Sequence, residues 1–351
     1  MELPDAAVRF DWACAVPDGG LYRKAGLVEF LKHRAPERFH ELVIPTGGSR
    51  GRRTGRALLA LMRFALATRA RSILFFYPAL PLFHPPAGRK LPALAIWLAT
   101  VRRALARRGV KIVLDVEDLP AAQHLTLTGR PHPAGDGVLA RAERWLSRFA
   151  DEVWLPSEAL ADRWRQVSAA PGRQVRVVPT GAPAQLPAAP PGPGQGVRFL
   201  CAASLYGAHD RGVSWLLERF TEGAAPSARL LLAGPGGEWI PGRYPRERVE
   251  WVGALDRSEL ESLAVGADWG LVPYPERGYF HLAFPAKLAL YTSCGLPVLT
   301  TAARTAAEAV RAAGVGRVSP ADSWARTLGE LSLAGRPARV ECPWLWQQVL
   351  G

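Results

Sequence analysis

One lysine stands out because of its place in the helix-forming segment FPAKLALYTSCGLPVLTT, residues 284–301. Pro285 suits the first turn of a helix, and Gly295 followed by Pro297 is a strong helix stop before an apolar strand. The free N–H groups and the positive dipole at a helix N-terminus favour phosphate, and Lys287 adds a full positive charge there. We therefore expect an anion at this helix start, with a diphosphate as the natural partner. The alternative is a lysine that extends into solvent.

A second group of reactive side chains follows an apolar strand of the first half, in the stretch LDVEDLP. Asp115, Glu117 and Asp118 lie at the end of this strand, which is where open α/β sheets bind ligands. Glu117 or Asp118 is a candidate to orient or deprotonate a substrate hydroxyl group. The alternative for both is a loop cap or helix N-cap. His124 and His132 are secondary candidates for the same function, with a structural or exposed position as the alternative for each.

The net charge of +13 is concentrated in one stretch of the chain. Residues 43–113 contain 14 of the 44 Lys and Arg residues and no Asp or Glu, which leaves 30 basic residues against 31 acidic ones elsewhere. Within the segment 49–111, apolar residues recur at helical spacing beside clustered arginines, a pattern typical of basic amphipathic helices. The pattern indicates contact with an anionic membrane surface or acceptor. The alternative is that arginine serves here as an ordinary solvated residue. Because no nucleic-acid-binding motif accompanies the charge, we expect no nucleic-acid partner.

The elements that must position these residues alternate between short apolar runs and helical patterns. Such alternation predicts a parallel sheet with helices on both faces. The uncharged, proline-rich and glycine-rich stretch 183–196 has the composition of a semi-rigid linker, and the alternation restarts beyond it. We therefore predict the α/β class, with two Rossmann-like doubly wound domains facing across a cleft. The predicted parts are an N-terminal domain over 1–182, a C-terminal domain over 197–335, and a last helix over 336–351 that buries its two tryptophans across both domains.

Composition also disfavours several broad classes of protein. The N-terminus has no basic region ahead of an apolar core, so no secretory signal is expected. No apolar run reaches the ~18 residues of a transmembrane helix. Cys14, Cys201, Cys294 and Cys342 are far apart and show no CxxC spacing. We interpret them as buried free thiols of a cytosolic protein. No metal-binding acidic pair stands out, so neither a metal nor another cofactor is expected.

The lysine-bearing segment resembles the donor-site segment of nucleotide-sugar glycosyltransferases that have the two-Rossmann-domain GT-B fold, in the broad group of glycosyltransferase family 4. In that group a proline-x-lysine segment opens a helix that ends in a turn into a strand. Further stretches resemble the group in the same order: DGGLYRKAGLVEFL, LPSEALADRW, PTGAP, FLCAASLYGAHDRGVSWLLERF, LLLAGPGG and VEWVGALDRSELESLAVGADWGLVPY. Together they cover most of the chain. The resemblance implies the GT-B fold and sugar transfer from a nucleotide-diphosphate donor.

The resemblance also implies functions for individual residues. Arg211 and Lys287 would pair with the donor diphosphate, and they would carry more of this function because the arginine often found near Ser204 is absent. The alternative for Arg211 is a surface arginine at the entry to a helix. The stretch 251–253 would lie against the base, or form an ordinary core strand, and Glu308 would meet the ribose or remain a surface residue. The expected donor contacts are Gly19, Gly20, Ser204, Arg211, Gly234, Trp251, Gly253, Tyr279, Pro285, Lys287, Tyr291 and Glu308. The expected catalytic residues are Asp118, Glu117, Lys287 and Arg211.

Two glutamates common in retaining members of the group are missing, since Leu282 and Leu290 occupy their places. A bacterial subset, similar to the enzymes that extend O-linked glycans on serine-rich adhesins, instead has a tyrosine four residues after the lysine. Lys287 and Tyr291 fit this variant, and Tyr279 is assigned to it as well. Because residues i and i+4 share a helix face, both side chains would meet the same ligand. The alternative for Tyr291 is a core aromatic residue.

These observations predict a metal-independent, retaining glycosyltransferase with a nucleotide-sugar donor, for which UDP is the expected nucleotide. The acceptor is a hydroxyl group of a glycan, lipid-linked or protein-linked. The expected location is cytoplasmic, peripheral to the inner face of the membrane. Two alternatives stay open: a non-catalytic GT-B subunit that supports a partner enzyme, and a nucleotide-sugar epimerase of the same fold.

Overall fold

Two six-stranded parallel sheets, one in each half of the chain, form the framework of the protein. This architecture comes from a computed structural model, which describes residues 3–10, 19–44, 50–77, 91–133, 135–168, 174–187, 196–206 and 211–351. Strands that are neighbours in either sheet run parallel. Helices connect most successive strands, as is usual for parallel pairing, although residues 234–248 pass from one strand to the next without a helix. The predicted α/β class with two doubly wound domains is confirmed.

The first sheet has the strand order β2-β1-β3-β4-β5-β6. Its strands are β1 (Ala6–Phe10), β2 (His40–Ile44), β3 (Ser72–Tyr77), β4 (Lys111–Val116), β5 (Glu152–Leu155) and β6 (Gln174–Val177). Its helices are α1 (Gly19–Arg34), α2 (Arg50–Ala67), α3 (Leu91–Ala106), α4 (Pro120–Thr128), α5 (Asp136–Phe149) and α6 (Glu158–Ser168). Residues 11–18, which follow β1, lie outside the described residues.

The second sheet has the strand order β12-β11-β10-β7-β8-β9. Its strands are β7 (Arg198–Ala202), β8 (Arg229–Ala233), β9 (Val249–Gly253), β10 (Trp269–Val272), β11 (Val298–Thr300) and β12 (Gly316–Val318). Its helices are α7 (Val213–Gly223), α8 (Arg257–Val265), α9 (Ala286–Ser293), α10 (Arg304–Ala313) and α11 (Trp324–Leu333), with short 3₁₀ helices at Gly278–His281 and Ala321–Ser323.

The strand orders fix where a ligand site can form. In the second sheet the chain leaves β7 toward β8 on one side and returns to place β10 on the other side of β7. The loops after β7 and β10 therefore diverge and leave a crevice at their carboxyl ends, the position at which open α/β sheets bind ligands. In the first sheet the corresponding reversal lies between β1 and β3.

The tail of the chain packs against both halves of the molecule. Trp344 makes an edge contact with Phe284, with ring centroids 5.5 Å apart. Trp346 is fully buried among apolar side chains of α1 and the first sheet. A Cβ atom on Gly181 would lie 2.5 Å from the Trp346 indole, so the chain there needs glycine. The tail is helical over α12 (Trp346–Leu350) rather than over the whole of 336–351, because its prolines interrupt the helix.

Three of the cysteines are buried in the core, and the start of the predicted linker is attached to the second domain. Cys201, Cys294 and Cys342 are buried free thiols, as expected, whereas Cys14 lies outside the described residues. In the predicted linker, the Gln185 side-chain amide donates to the backbone carbonyls of Thr292 and Ser293 at 3.1 Å, so the start of the linker is tied to the end of α9. Within the described part of the chain, no helix combines the length and apolarity needed to cross a bilayer.

Candidate functional site

The carboxyl edges of the two sheets meet around one pocket of about 590 Å³, part of it open to solvent. Loops after β4, β5 and β6 supply one wall, and the loops before α7 and after β10 supply the other. Both polar and apolar side chains face the space, as is usual for small-molecule sites. The lining residues are Glu117, Asp118, Gln123, Thr126, Leu127, Pro156, Thr180, Arg211, Tyr274, Tyr279, Phe280, Ala283, Phe284 and Ala286.

Lys287 lies directly behind this lining, in the first turn of α9. Pro285 is the N-cap of the helix, with the extended backbone that a proline before a helix favours. The Lys287 ammonium is shielded from solvent, and none of the described residues accepts a hydrogen bond from it. It lies 5.6 Å from the centre of the Tyr274 ring. Burial lowers the pKa of Lys287, with Cys201 opposing this shift and the Arg211 charge adding to it.

Arg211 is brought to the same place by a close backbone contact. Gly212, which follows it, has a positive φ of 92°. A Cβ atom there would lie 1.8 Å from the Pro273 carbonyl oxygen, so this approach requires glycine. The contact sets Arg211 beside Tyr274. Burial raises the pKa of the Tyr274 hydroxyl, and the Arg211 guanidinium, through its charge and a hydrogen bond, acts against this rise. Two predicted diphosphate contacts are thus neighbours in space.

The acidic residues after β4 face this cationic pair from the first domain. Glu117 forms an ion pair with Lys24 of α1 at 2.7 Å. Burial raises the pKa of Glu117 to about 7, with Lys24 lowering it and Asp118 raising it. The Tyr279 hydroxyl donates a hydrogen bond to Asp118 Oδ1. Asp115, the third acid of the stretch LDVEDLP, does not line the pocket. It is fully buried in an ion pair with Arg23.

The segment 278–284 of the second domain docks onto the first domain just before α9 begins. The Tyr279 N–H donates to Thr126 Oγ1 of α4 at 2.8 Å. The Ser157 hydroxyl donates to the Leu282 carbonyl oxygen at 2.6 Å. Gly278 is so close to α4 that a Cβ atom on it would lie 2.5 Å from Thr126 Oγ1. The start of α9 is therefore positioned by both domains.

Other predicted donor contacts lie along the carboxyl edge of the second sheet. Ser204 follows β7 and is partly buried. Gly234 follows β8 with a φ of 143°, and its carbonyl oxygen accepts from the Trp251 indole at 2.9 Å. Gly253 ends β9 with a φ of 87° and open space where a Cβ atom would be. These residues are not among those that line the pocket. In the first domain the predicted double glycine forms the first two residues of α1.

Two predicted donor contacts are poorly placed to touch a ligand in this structure. Tyr291 is fully buried, and its hydroxyl oxygen accepts a hydrogen bond from the Ala202 N–H at 2.8 Å. Its ring lies against Gly270 of β10, where a Cβ atom would come within 2.3 Å of it. This is the position of a core aromatic, the alternative that the sequence left open. Glu308 is exposed on α10, which fits the surface alternative. His124 and His132 contact each other, with ring centroids 5.1 Å apart.

Three residues at the site were not singled out from the sequence. Tyr274 contacts both cations, Thr126 receives the docking segment, and Lys24 pairs with Glu117. Tyr274 carried a weak signal, since it follows an apolar strand in the stretch VPYPE. Across the described ranges, no group of three or more His, Cys, Asp or Glu side chains is arranged to hold a metal ion.

Comparison with known proteins matches one family to part of this chain. Residues 196–332 match the family of glycosyl transferases group 1. The match covers the second domain, from before β7 into α11. A sequence search of curated proteins finds no significant match.

Solved structures match over most of the chain. The Anabaena protein Alr3699/HepE, solved with UDP and glucose, is 15% identical, with a TM-score of 0.61 over 93% of this chain and 89% of its own. WaaG, a glycosyltransferase involved in lipopolysaccharide biosynthesis, is 13% identical, with a TM-score of 0.60 over 93% and 90%. The pneumococcal O-GlcNAc transferase GtfA, solved with UDP and GlcNAc, is 12% identical, with a TM-score of 0.53 over 80% of this chain and 53% of its own. The fold is GT-B.

Proposed function

We propose that this chain is a glycosyltransferase that moves a sugar from a nucleotide-diphosphate donor to a hydroxyl group. One observation carries the proposal: the Lys287 ammonium is shielded, lies near the Arg211 charge, and finds no acceptor among the described residues. A buried, unpaired cation costs free energy, and a bound anion offsets that cost. A pyrophosphate group held by both cations and by the free N–H groups at the start of α9 supplies this anion.

The same residues account for the chemistry of the transfer. When the bond between sugar and diphosphate breaks, negative charge develops on the leaving diphosphate. Lys287, Arg211 and the helix start stabilise that charge without having to reorganise, which lowers the barrier to transfer. In this proposal no divalent metal is needed, and stereochemistry is retained, as the resemblance to the proline-x-lysine-x-x-x-tyrosine variant implies. UDP is the first nucleotide to test, since two of the structural neighbours were solved with it.

The first domain supplies the acceptor side of the pocket. Glu117 and Asp118 line it opposite the cations. A carboxyl group whose pKa lies near 7, as for Glu117, is well matched to accept a proton at neutral pH. Asp118 is already bound to the Tyr279 hydroxyl, so it suits orientation of the acceptor. We infer that Glu117 deprotonates the acceptor hydroxyl and Asp118 orients it.

Release of nucleoside diphosphate from sugar donors, measured in EDTA, tests this function. Lys287→Ala should lower the release rate by roughly 10²-fold or more, as loss of leaving-group stabilisation does. Lys32→Ala is the matched control, because Lys32 is an exposed lysine of α1 that pairs with Glu41. Equal rates for the two variants would contradict the assigned site.

Two alternative functions, a non-catalytic subunit and an epimerase, predict different products from the same donor. Leu282 and Leu290, in place of two acids common in the resembling group, favour a subunit that binds donor without turning it over. Donor binding by calorimetry with no product would support that subunit. Conversion of the donor sugar without any acceptor would instead indicate an epimerase.

We also infer that the first domain docks onto an anionic membrane on its cytoplasmic side. The acceptor hydroxyl would belong to a glycan that is lipid-linked or protein-linked. The outer face of α2 alternates Arg56, Leu59, Arg63 and Leu66, with the two leucines 52% and 59% exposed. Ile96 of the neighbouring α3 is 70% exposed. Apolar side chains among arginines, in a segment without acids, suit a surface that is both anionic and apolar.

Sedimentation with lipid vesicles tests this partner. Vesicles rich in phosphatidylglycerol should bind the protein at low ionic strength, and salt should release it. The double substitution Arg56→Glu and Arg63→Glu should weaken binding by at least about tenfold. Arg246→Glu with Arg326→Glu reverses two exposed arginines of the second domain and should have little effect. Equal loss in both double variants, or no binding at low salt, would contradict the docking face.

A further inference from the structure

Tyr274 has a place in the site that neither the sequence nor the resemblance assigns. It lies two residues after β10, at the reversal point of the second sheet. The face of its ring lies 5.6 Å from the Lys287 ammonium. Its hydroxyl interacts with the Arg211 guanidinium. One side chain therefore contacts both cations, Lys287 through its ring face and Arg211 through its hydroxyl.

The two cations would not stay in this arrangement unaided. Each disfavours the other by charge repulsion, and the Lys287 ammonium has no hydrogen-bond acceptor within the described chain. A lysine side chain is flexible, so without a local attraction it would turn toward solvent. The negative face of an aromatic ring attracts an ammonium group, most strongly where water is excluded.

Tyr274 is itself held rigidly. It is 7% exposed, and its ring packs against Phe280 with centroids 4.9 Å apart. Its backbone carbonyl oxygen accepts a hydrogen bond from the Thr301 hydroxyl at 2.5 Å. Gly212 packs on the preceding residue, Pro273, which fixes the loop that carries Arg211 against the same strand end. A side chain fixed in this way can hold its flexible neighbours in place.

We propose that Tyr274 is the positioning residue of the diphosphate site. Its ring face confines Lys287 and its hydroxyl confines Arg211, so both cations are in place before the donor binds. The proposal rests on the proposed function for its purpose. Its physical content, that the ring confines the ammonium, is independent of any ligand. Tyr274 acts through the two cations rather than on the reacting atoms.

Two substitutions separate the two parts of this side chain. Tyr274→Phe keeps the ring face and removes the hydroxyl. Tyr274→Met fills a similar volume and removes the ring as well. If Tyr274 were merely a structural core residue, the two variants should show similar acylation rates at Lys287. If Tyr274 positions Lys287, these rates should differ between the two variants.

Competitive acylation of lysines, followed by mass spectrometry, measures the confinement without a ligand. The chain has five lysines, and exposed Lys32 serves as the internal reference. At a pH where both amines are still largely protonated, so that the ring holds the charged ammonium, Tyr274→Met should raise the acylation rate of Lys287 relative to Lys32 by about two- to thirtyfold, the range set by cation–π contacts. Tyr274→Phe should change it by less than about twofold, because the ring face remains. Equal rates in the two variants would overturn the proposal, whether or not the protein is a glycosyltransferase.

Calorimetry with UDP and with inorganic pyrophosphate then measures the consequence for binding. Tyr274→Phe should weaken binding by about two- to tenfold through Arg211, and Tyr274→Met should weaken it further. In the Lys287→Ala background the difference between Phe and Met should vanish, since the ring acts through Lys287. A difference that persists there would overturn the proposal. Failure of the unsubstituted protein to bind either probe would instead contradict the proposed function, and the acylation result would still decide the part played by Tyr274.

Discussion

Gly278 lies at a close contact between the two domains in front of α9, and Gly278→Ala tests that contact. Its φ of 54° lies in the left-handed region, where a residue with a side chain is strained. A Cβ atom on it would also lie 2.5 Å from Oγ1 and 3.0 Å from Cγ2 of Thr126. The substitution therefore adds backbone strain and a steric clash between domains.

The size of each effect follows from a matched glycine. Gly314 has a φ of 65° but no atom within 4 Å of its would-be Cβ, so Gly314→Ala measures backbone strain alone. That strain costs about 1–2 kcal/mol of unfolding free energy. Overpacking against Thr126 adds about 1–3 kcal/mol. We therefore expect Gly278→Ala to cost about 2–5 kcal/mol in total, clearly more than the control.

Denaturant unfolding of the variants measures the difference. Thr126→Ala alone should cost about 0.5–1.5 kcal/mol, because it removes the acceptor of the Tyr279 N–H. In the presence of Gly278→Ala it should cost less than this or restore stability, since it also relieves the clash. The reasoning is refuted if Gly278→Ala is no more destabilising than Gly314→Ala, or if the two substitutions are additive.

Two carboxyl groups yield predictions about pH. Burial raises the pKa of Glu143, which accepts from the Tyr77 hydroxyl, from 4.5 to about 7. A raised pKa means stability that is present at low pH and lost as pH rises. The unfolding free energy of the unsubstituted protein, minus that of Glu143→Gln, should therefore fall by about 3 kcal/mol between pH 4.5 and 7. A free-energy difference that does not change with pH would contradict this. If Glu117 is the base, donor turnover should decline below about pH 7, and Lys24→Met should move that decline to higher pH because Lys24 lowers the Glu117 pKa. An unmoved profile would exclude Glu117.

Local sequence patterns predicted the fold well, for a physical reason. Alternation of apolar strands with amphipathic helices is decided within a few residues, and parallel pairing follows from it. The helix that carries Lys287 begins after Pro285 and ends before Gly295 because proline and glycine act locally. The predicted helix over 336–351 was wrong in extent, since Pro337 and Pro343 keep the chain before α12 from being helical.

The site was less predictable because its contacts join distant parts of the chain. Tyr279 meets Thr126 across 153 residues, and Arg23 meets Asp115 across 92. No local pattern reports such pairs. Tyr291 shows a related problem, since helical spacing places it on the face of Lys287 but does not say which packed strand lies above it.

The most direct test of the account is calorimetric titration of UDP and of uridine into the protein and into Lys287→Ala. If the shielded ammonium binds pyrophosphate, UDP should bind the unsubstituted protein at least about tenfold more tightly than uridine, and Lys287→Ala should remove most of that difference. An unchanged UDP affinity in Lys287→Ala would contradict the central claim.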